Sequence, residues 1–207
     1  MAEVVLRNDR DDVSERKLFE VLNGCQKLTP TQESKYKAMY EMAKEVRMGR
    51  IVELGTHVGL GTIALAFGAK SGMHVYVNTI DWFQPCVGVD GEQYHKADEN
   101  KLRKNLEDAN VIVTTYINTF KKVAAEWSYP VGLLVWDGNV YRPDDDIADW
   151  ERFVLPGGRI AFYRGDGGTI LGAYNLAEKY VQSGWYEWCD TPADFFTIKR
   201  RGNGVDR

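Results

Sequence analysis

The clearest signal of fold in this chain is residues 51–62, which read Ile51-Val52-Glu53-Leu54-Gly55-Thr56-His57-Val58-Gly59-Leu60-Gly61-Thr62. A short, largely β-branched run leads into three glycines, and an apolar, alanine-rich helical pattern follows them. This order predicts a β-strand, a tight turn and the first turn of a helix. Because such a turn lets backbone N–H groups approach a small ligand closely, we expect a ligand site there.

A second predicted strand leads to the same place. Residues 75–81 read Val-Tyr-Val-Asn-Thr-Ile-Asp, and the strand ends on Asp81, twenty residues beyond Gly61. A carboxylate at that point can accept hydrogen bonds from both hydroxyls of a ribose. The turn and Asp81 together predict a cofactor that contains adenosine.

The spacing of the glycines indicates which cofactor this is. Dinucleotide folds usually have the pattern G-x-G-x-x-G, whereas here Glu53 precedes glycines at 55, 59 and 61. A buried acid repels a pyrophosphate but attracts a cation. S-adenosylmethionine carries an ammonium and a sulfonium and no phosphate, so the sequence favours S-adenosylmethionine over NAD.

The rest of the chain alternates predicted strands and helices, which is typical of a parallel sheet covered on both faces. The last two strands, residues 185–189 and 195–199, are too close in sequence for a helical crossover, so we expect an antiparallel hairpin. We also expect a helix from about Asp144 to Val154, ended by Pro156-Gly157-Gly158. The predicted fold is α/β, with a doubly wound, mostly parallel seven-stranded sheet and an antiparallel C-terminal hairpin.

Composition narrows the class of protein. The 207 residues carry a net charge of −4, and the Lys and Arg residues are scattered, which argues against nucleic-acid binding. No apolar run approaches the roughly 20 residues needed to cross a membrane, and residues 1–12 are charged rather than signal-like. Cys25, Cys86 and Cys189 are widely spaced and form no C-x-x-C, which predicts a reducing, cytoplasmic setting.

We expect three parts along the chain. Residues 1–34 form a helical extension or lid, residues 35–200 form the cofactor-binding domain, and residues 201–207 form a charged tail. The extension has a short apolar face that could also be a dimer contact, and a homodimer is a further prediction. Its members are Leu18, Phe19, Val21 and Leu22.

The order of the motifs resembles the class I S-adenosylmethionine-dependent methyltransferases. The resemblance covers residues 35–200 and is strongest to macrocin-type O-methyltransferases and cephalosporin hydroxylase-like proteins. It implies a Rossmann-like methyltransferase fold and O-methylation of a small-molecule acceptor. The matching motifs are Glu53-Leu54-Gly55-Thr56 with Gly59, Ile80-Asp81-Trp82, Asn105-Leu106, Asp137-Gly138 with Tyr141, Asp146 with Trp150, and Pro156-Gly157-Gly158.

The resemblance also implies roles for individual residues. The glycine turn would hold the methionine part of the cofactor, Asp81 the ribose, and Asn118 the adenine. The full set of cofactor-binding candidates is Glu53, Gly55, Thr56, His57, Gly59, Gly61, Asp81, Trp82, Asn118 and Asp137.

Methyl transfer to a hydroxyl needs alignment of the reactants, exclusion of water and a group that accepts the hydroxyl proton. The candidate bases are Asp137, His95 and Asp166. His95 lies in the segment 82–97, where a lid over the acceptor is expected.

This chain departs from the resembled subgroup in one respect that concerns metal. That subgroup has a histidine shortly after the Asp-Gly and an acid directly after strand five, and these acids can bind a divalent cation. Here residues 137–141 contain no histidine, and strand five runs into Tyr163-Arg164-Gly165-Asp166. Asp137 and Asp166 could hold magnesium, but Arg164 places positive charge there, so we assign no metal.

Two alternatives stay open at this point. The lost histidine and Arg164 fit a domain that binds S-adenosylmethionine or S-adenosylhomocysteine without catalysis. An NAD-dependent oxidoreductase is disfavoured by the glycine spacing and by the terminal hairpin.

Overall fold

The computed structural model describes residues 13–83, 86–87, 93–94, 98–137, 143–163, 170–190 and 195–202. The helices are α1 (Glu15–Cys25), α2 (Pro30–Lys44), α3 (Leu60–Ser71), α4 (Glu99–Asp108), α5 (Phe120–Glu126), α6 (Pro143–Ala148) and α7 (Ile170–Gln182). The strands are β1 (Arg50–Leu54), β2 (Val77–Asp81), β3 (Cys86–Val87), β4 (Gln93–Tyr94), β5 (Thr114–Ile117), β6 (Val131–Trp136), β7 (Val154–Tyr163), β8 (Tyr186–Trp188) and β9 (Phe195–Arg200).

Within the described residues, seven strands form one sheet in the order β5-β2-β1-β6-β7-β9-β8. The strands from β5 to β7 are parallel, and β9 runs antiparallel to both β7 and β8. The predicted doubly wound sheet with a C-terminal hairpin is therefore confirmed. The chain moves outward from β1 through β2 to β5 and then returns to β6 on the other side of β1. This reversal opens a crevice at the carboxyl ends of β1 and β6, which is where such sheets bind ligands.

Apolar side chains cover both faces of the sheet. One cluster packs α1, α2 and α3 against one face, and a second cluster packs α5, α6 and α7 against the other. Leu18 and Leu22 of α1 are fully buried in the first cluster, so this part of the apolar face at the N-terminus packs within the chain. The division of the chain into three parts stays a prediction. None of the described helices is both long and apolar enough to cross a membrane.

The helix expected over residues 144–154 is shorter than the pattern predicts. It ends at Ala148, a 3-10 turn covers Glu151–Phe153, and β7 begins at Val154. Val154 already lies in the sheet, paired with Val131 of β6, so the chain is extended before Pro156 is reached. Residues 155–158 form an irregularity within β7, since Val131 pairs with Val154 whereas Leu133 pairs with Arg159.

Candidate functional site

The glycine turn joins β1 to α3 through backbone conformations that few residue types adopt. Gly55 and Gly59 have φ values of +96° and +85°, and His57 also has a positive φ of +52°. A Cβ on Gly59 would lie 2.4 Å from the Cδ1 atom of Leu102 of α4, so the Leu102 side chain would have to shift to admit it. Asn105 of α4 donates a hydrogen bond to the Val58 carbonyl at 2.8 Å and holds the turn in place.

Asp81, at the end of β2, binds the backbone of the turn. Its Oδ2 accepts the N–H groups of Thr56 and His57, each at 2.9 Å, and its Oδ1 accepts the N–H of Phe83 at 3.0 Å. An ionised carboxylate has about four acceptor positions, so one position on Oδ1 is left for a ligand hydroxyl. Asp81 also places a negative charge beside the backbone amides of the turn. Without this charge, the amides would attract an anion.

Glu53 lies behind the turn and is only 1% exposed. The register pairs Glu53 with Thr79 of β2, and Oε2 accepts the hydroxyls of Thr79 at 2.7 Å and Thr62 at 2.5 Å. Among the described residues, Oε1 has no hydrogen-bond partner. Burial raises the pKa of Glu53 to about 8, and the two threonine hydroxyls oppose that rise. At neutral pH the free protein therefore keeps this carboxyl largely protonated.

A lysine that the sequence analysis missed binds the acid at the end of β6. The Lys35 ammonium, on α2, lies 2.6 Å from Asp137 Oδ2, and the two side chains are only 12% and 18% exposed. The ring of Tyr163 packs against the same ammonium, with its centroid 3.9 Å away. Asp137 and Tyr163 are neighbours because the register pairs Trp136 with Phe162, the residues just before them.

These charges act on one another across the crevice. Burial raises the pKa of Asp137, while the Lys35 ammonium opposes the rise. Tyr36, beside Lys35 on α2, has a pKa raised by burial and by the carboxylates of Asp137 and Glu53. Among the described residues, the carboxyl ends of β1, β2, β6 and β7 thus carry the carboxyl groups of Glu53, Asp81 and Asp137 and the ammonium of Lys35.

The structure brings most of the predicted cofactor residues to this edge of the sheet. The turn residues 53–61, Asp81 and Asp137 lie together, and the backbone N–H of Asn118 donates to the Asp81 carbonyl at 3.1 Å. Trp82 follows Asp81 and is 57% exposed. His95 and Asp166, the other candidate bases, lie outside the described residues.

Metal ligands are not grouped in the part of the chain that the structure describes. No three side chains of His, Cys, Asp or Glu lie close enough together there to hold a metal ion. A surface depression of about 730 Å³ lies elsewhere, at the amino-terminal ends of β1, β6 and β7, and Arg47, Gly132 and Arg159 are among its lining residues. It contains none of the predicted site residues.

Several solved structures with the same fold are O-methyltransferases. The O-methyltransferase NovP superimposes with a TM-score of 0.67 at 18% identity, with 88% of each chain covered. TomG, an O-methyltransferase from Streptomyces achromogenes involved in tomaymycin synthesis and solved in complex with SAM, gives 0.60 at 16% identity, covering 95% of this chain and 93% of TomG. An O-methyltransferase from Bacillus cereus, solved in complex with SAH, gives 0.59 at 16% identity, covering 96% and 94%. This chain has the Rossmann-like methyltransferase fold.

No family model matches the sequence, and no curated protein matches it significantly. The similarity to known proteins is therefore one of fold alone.

Proposed function

We propose that this protein is an S-adenosylmethionine-dependent methyltransferase that acts on a hydroxyl group of a small molecule. The fold supports this proposal, and so does the placement of three carboxyl groups around the crevice. These groups belong to Glu53, Asp81 and Asp137. Asp81 is the one that distinguishes a cationic cofactor from one that contains phosphate.

The observation that carries the proposal is the pair of hydrogen bonds from the N–H groups of Thr56 and His57 to Asp81 Oδ2. In a dinucleotide-binding fold, the amides of this turn are free to receive a pyrophosphate. Here they are occupied by a carboxylate, whose charge repels phosphate. A cofactor that is cationic and has no phosphate fits this turn, and NAD does not.

The residues of the turn fit S-adenosylmethionine in charge and in hydrogen bonding. Glu53 provides an acidic group behind the turn. Its Oε1, which has no hydrogen-bond partner among the described residues, lies close to Gly61, since a Cβ added to Gly61 would be 2.5 Å from it. Asp81 Oδ1 is left to accept a ribose hydroxyl, and Asn118 lies next to Asp81 on the side of β5. When bound, S-adenosylmethionine supplies a methyl group that is already activated by the sulfonium.

Asp137 is the group that we assign to the acceptor. Lys35 engages its Oδ2, so Oδ1 is the oxygen that accepts the hydroxyl hydrogen of the acceptor. A base with a raised pKa suits this role, because it takes up a proton near neutral pH more readily than an ordinary aspartate does.

Calorimetric titration of the purified protein with S-adenosylmethionine, S-adenosylhomocysteine and NAD tests the cofactor assignment. We expect micromolar binding of the first two and no heat from NAD. Binding of NAD alone, or of none of the three by folded protein, would contradict the proposal.

A panel of hydroxylated acceptors with radiolabelled S-adenosylmethionine then tests catalysis. Methyl transfer to any acceptor is the expected result. Tight cofactor binding with no transfer to any member of a broad panel would instead favour a domain that binds without catalysing.

A further inference from the structure

We propose that Lys35 is a built-in cation that takes the place of a divalent metal at Asp137, so that the reaction needs no metal ion. This inference rests on the proposed function for its catalytic part only. Its structural part concerns which cation the carboxylate of Asp137 holds, and that part can be tested without a methyl acceptor.

Whether a divalent metal ion fits at Asp137 depends on the residues around that carboxylate. A divalent ion at the end of β6 would need the carboxylate oxygens of Asp137 and further oxygen ligands around it. Asp137 Oδ2 already accepts the Lys35 ammonium at 2.6 Å. A divalent ion on this oxygen would lie against a like charge in a largely buried site, so the described residues do not fit a metal.

Lys35 is held beside Asp137 by contacts from several sides. The Tyr163 ring lies 3.9 Å from the ammonium and the Tyr36 ring 5.7 Å, distances at which an ammonium is attracted to an aromatic face. The beginning of α2 is fixed by a capping box between Thr29 and Gln32. Lys35 is therefore presented by an anchored helix rather than by a mobile loop.

The Lys35 ammonium acts on the charge and the orientation of the Asp137 carboxylate. Removal of one partner from a buried ion pair leaves the other charge uncompensated, so Lys35 keeps the Asp137 carboxylate charged and oriented. A divalent metal at the same carboxylate would do the same and would also carry more positive charge toward a sulfonium cofactor. We therefore assign Lys35 as a positioning residue that acts through Asp137.

Manganese binding to the wild-type protein tests the structural part. We titrate the protein with Mn²⁺ alone and follow free Mn²⁺ by electron paramagnetic resonance, with the Asp137→Asn variant as the comparison. The proposal expects identical, weak binding curves for the two proteins. A wild-type site of micromolar affinity that is lost in Asp137→Asn would overturn it.

Substitutions at Lys35 test the catalytic part. We expect Lys35→Met to lower kcat at least tenfold with little change in the Kd for S-adenosylmethionine, and Lys35→Arg to restore part of kcat. Lys37→Met is the matched control, because Lys37 lies on the same helix but is 56% exposed and pairs with Glu15. Wild-type turnover should be unchanged by EDTA.

Loss of wild-type turnover in EDTA with recovery in Mg²⁺ would overturn the proposal, and so would a Lys35→Met variant with wild-type kcat. Circular dichroism and thermal unfolding establish that each variant is folded. If Lys35→Met does not fold, the Lys35→Arg and EDTA measurements decide. If the protein binds no S-adenosylmethionine, the proposed function fails, whereas the manganese titration still decides which cation Asp137 holds.

Discussion

Asp81 Oδ2 accepts the backbone N–H of Thr56 at 2.9 Å, which connects the end of β2 to the glycine turn after β1. This bond holds the turn in shape through the same carboxylate that we propose for the ribose. It also explains why an acid at the end of the second strand and a glycine-rich turn after the first belong to one site.

Asp81→Ala should weaken binding of S-adenosylmethionine by about 1.5–3 kcal/mol, the usual loss when a charged hydrogen-bond partner is removed. Calorimetric titration measures the change in affinity. Glu126→Ala is the control, since Glu126 is exposed at the end of α5 and is not among the proposed cofactor-binding residues. Unchanged affinity in Asp81→Ala would show that the cofactor does not contact this carboxylate.

The stability of the protein should fall as the pH rises from about 5 to 8. Burial raises the pKa of Glu53 to about 8 in the folded state, above its ordinary value of 4.5, so the folded state binds more protons in this interval. The free energy of unfolding then decreases with rising pH. Denaturant unfolding at several pH values measures this slope, and Glu53→Gln should make it shallower. An equal slope in the variant would mean that Glu53 is ionised throughout the interval.

Binding of S-adenosylmethionine should release a proton from Glu53. A cation at the turn favours the ionised carboxylate, and at pH 6.5 the free protein holds that carboxyl in its neutral form. Calorimetry in two buffers with different ionisation enthalpies counts the protons exchanged. We expect release by the wild type and less release by Glu53→Gln, and equal values for the two would exclude Glu53 as the source.

Gly61→Ala should destabilise the fold, although alanine normally favours helices. Its Cβ would lie 2.5 Å from Glu53 Oε1 and 2.8 Å from Met39, and Glu53 cannot move away because Thr62 and Thr79 hold its Oε2. Overpacking of this kind costs about 1–3 kcal/mol.

Gly24→Ala is the matched control for this prediction. Gly24 lies in α1, and a Cβ there meets nothing within 4 Å, so the substitution should stabilise the protein by about 0.5–1 kcal/mol. Thermal unfolding of both variants measures the difference. A Gly61→Ala variant as stable as Gly24→Ala would show that Glu53 has room to move.

Much of the fold was predictable because its signals are local. Gly55 and Gly59 have positive φ values, which favour glycine, and the apolar side chains of Ile51, Val52 and Leu54 indicate a buried central strand. The terminal hairpin followed from chain length alone, since its connection is too short for a crossover. The helix before Pro156 was overestimated because the apolar spacing of Ile147, Trp150 and Val154 fits a helix, whereas Val154 pairs with Val131 in the sheet.

From the amino-acid sequence alone we could predict the strand-turn-helix, the order of the elements and the acids at the carboxyl ends of β1, β2 and β6. These features depend on backbone sterics and on the period of apolar residues, which act between near neighbours in the chain. The folded chain was needed to show that Asp81 binds the amides of the turn and that Lys35 binds Asp137. Each of these contacts joins residues far apart in sequence, and neither has a local pattern, because electrostatic pairing depends on distance in space rather than on position along the chain.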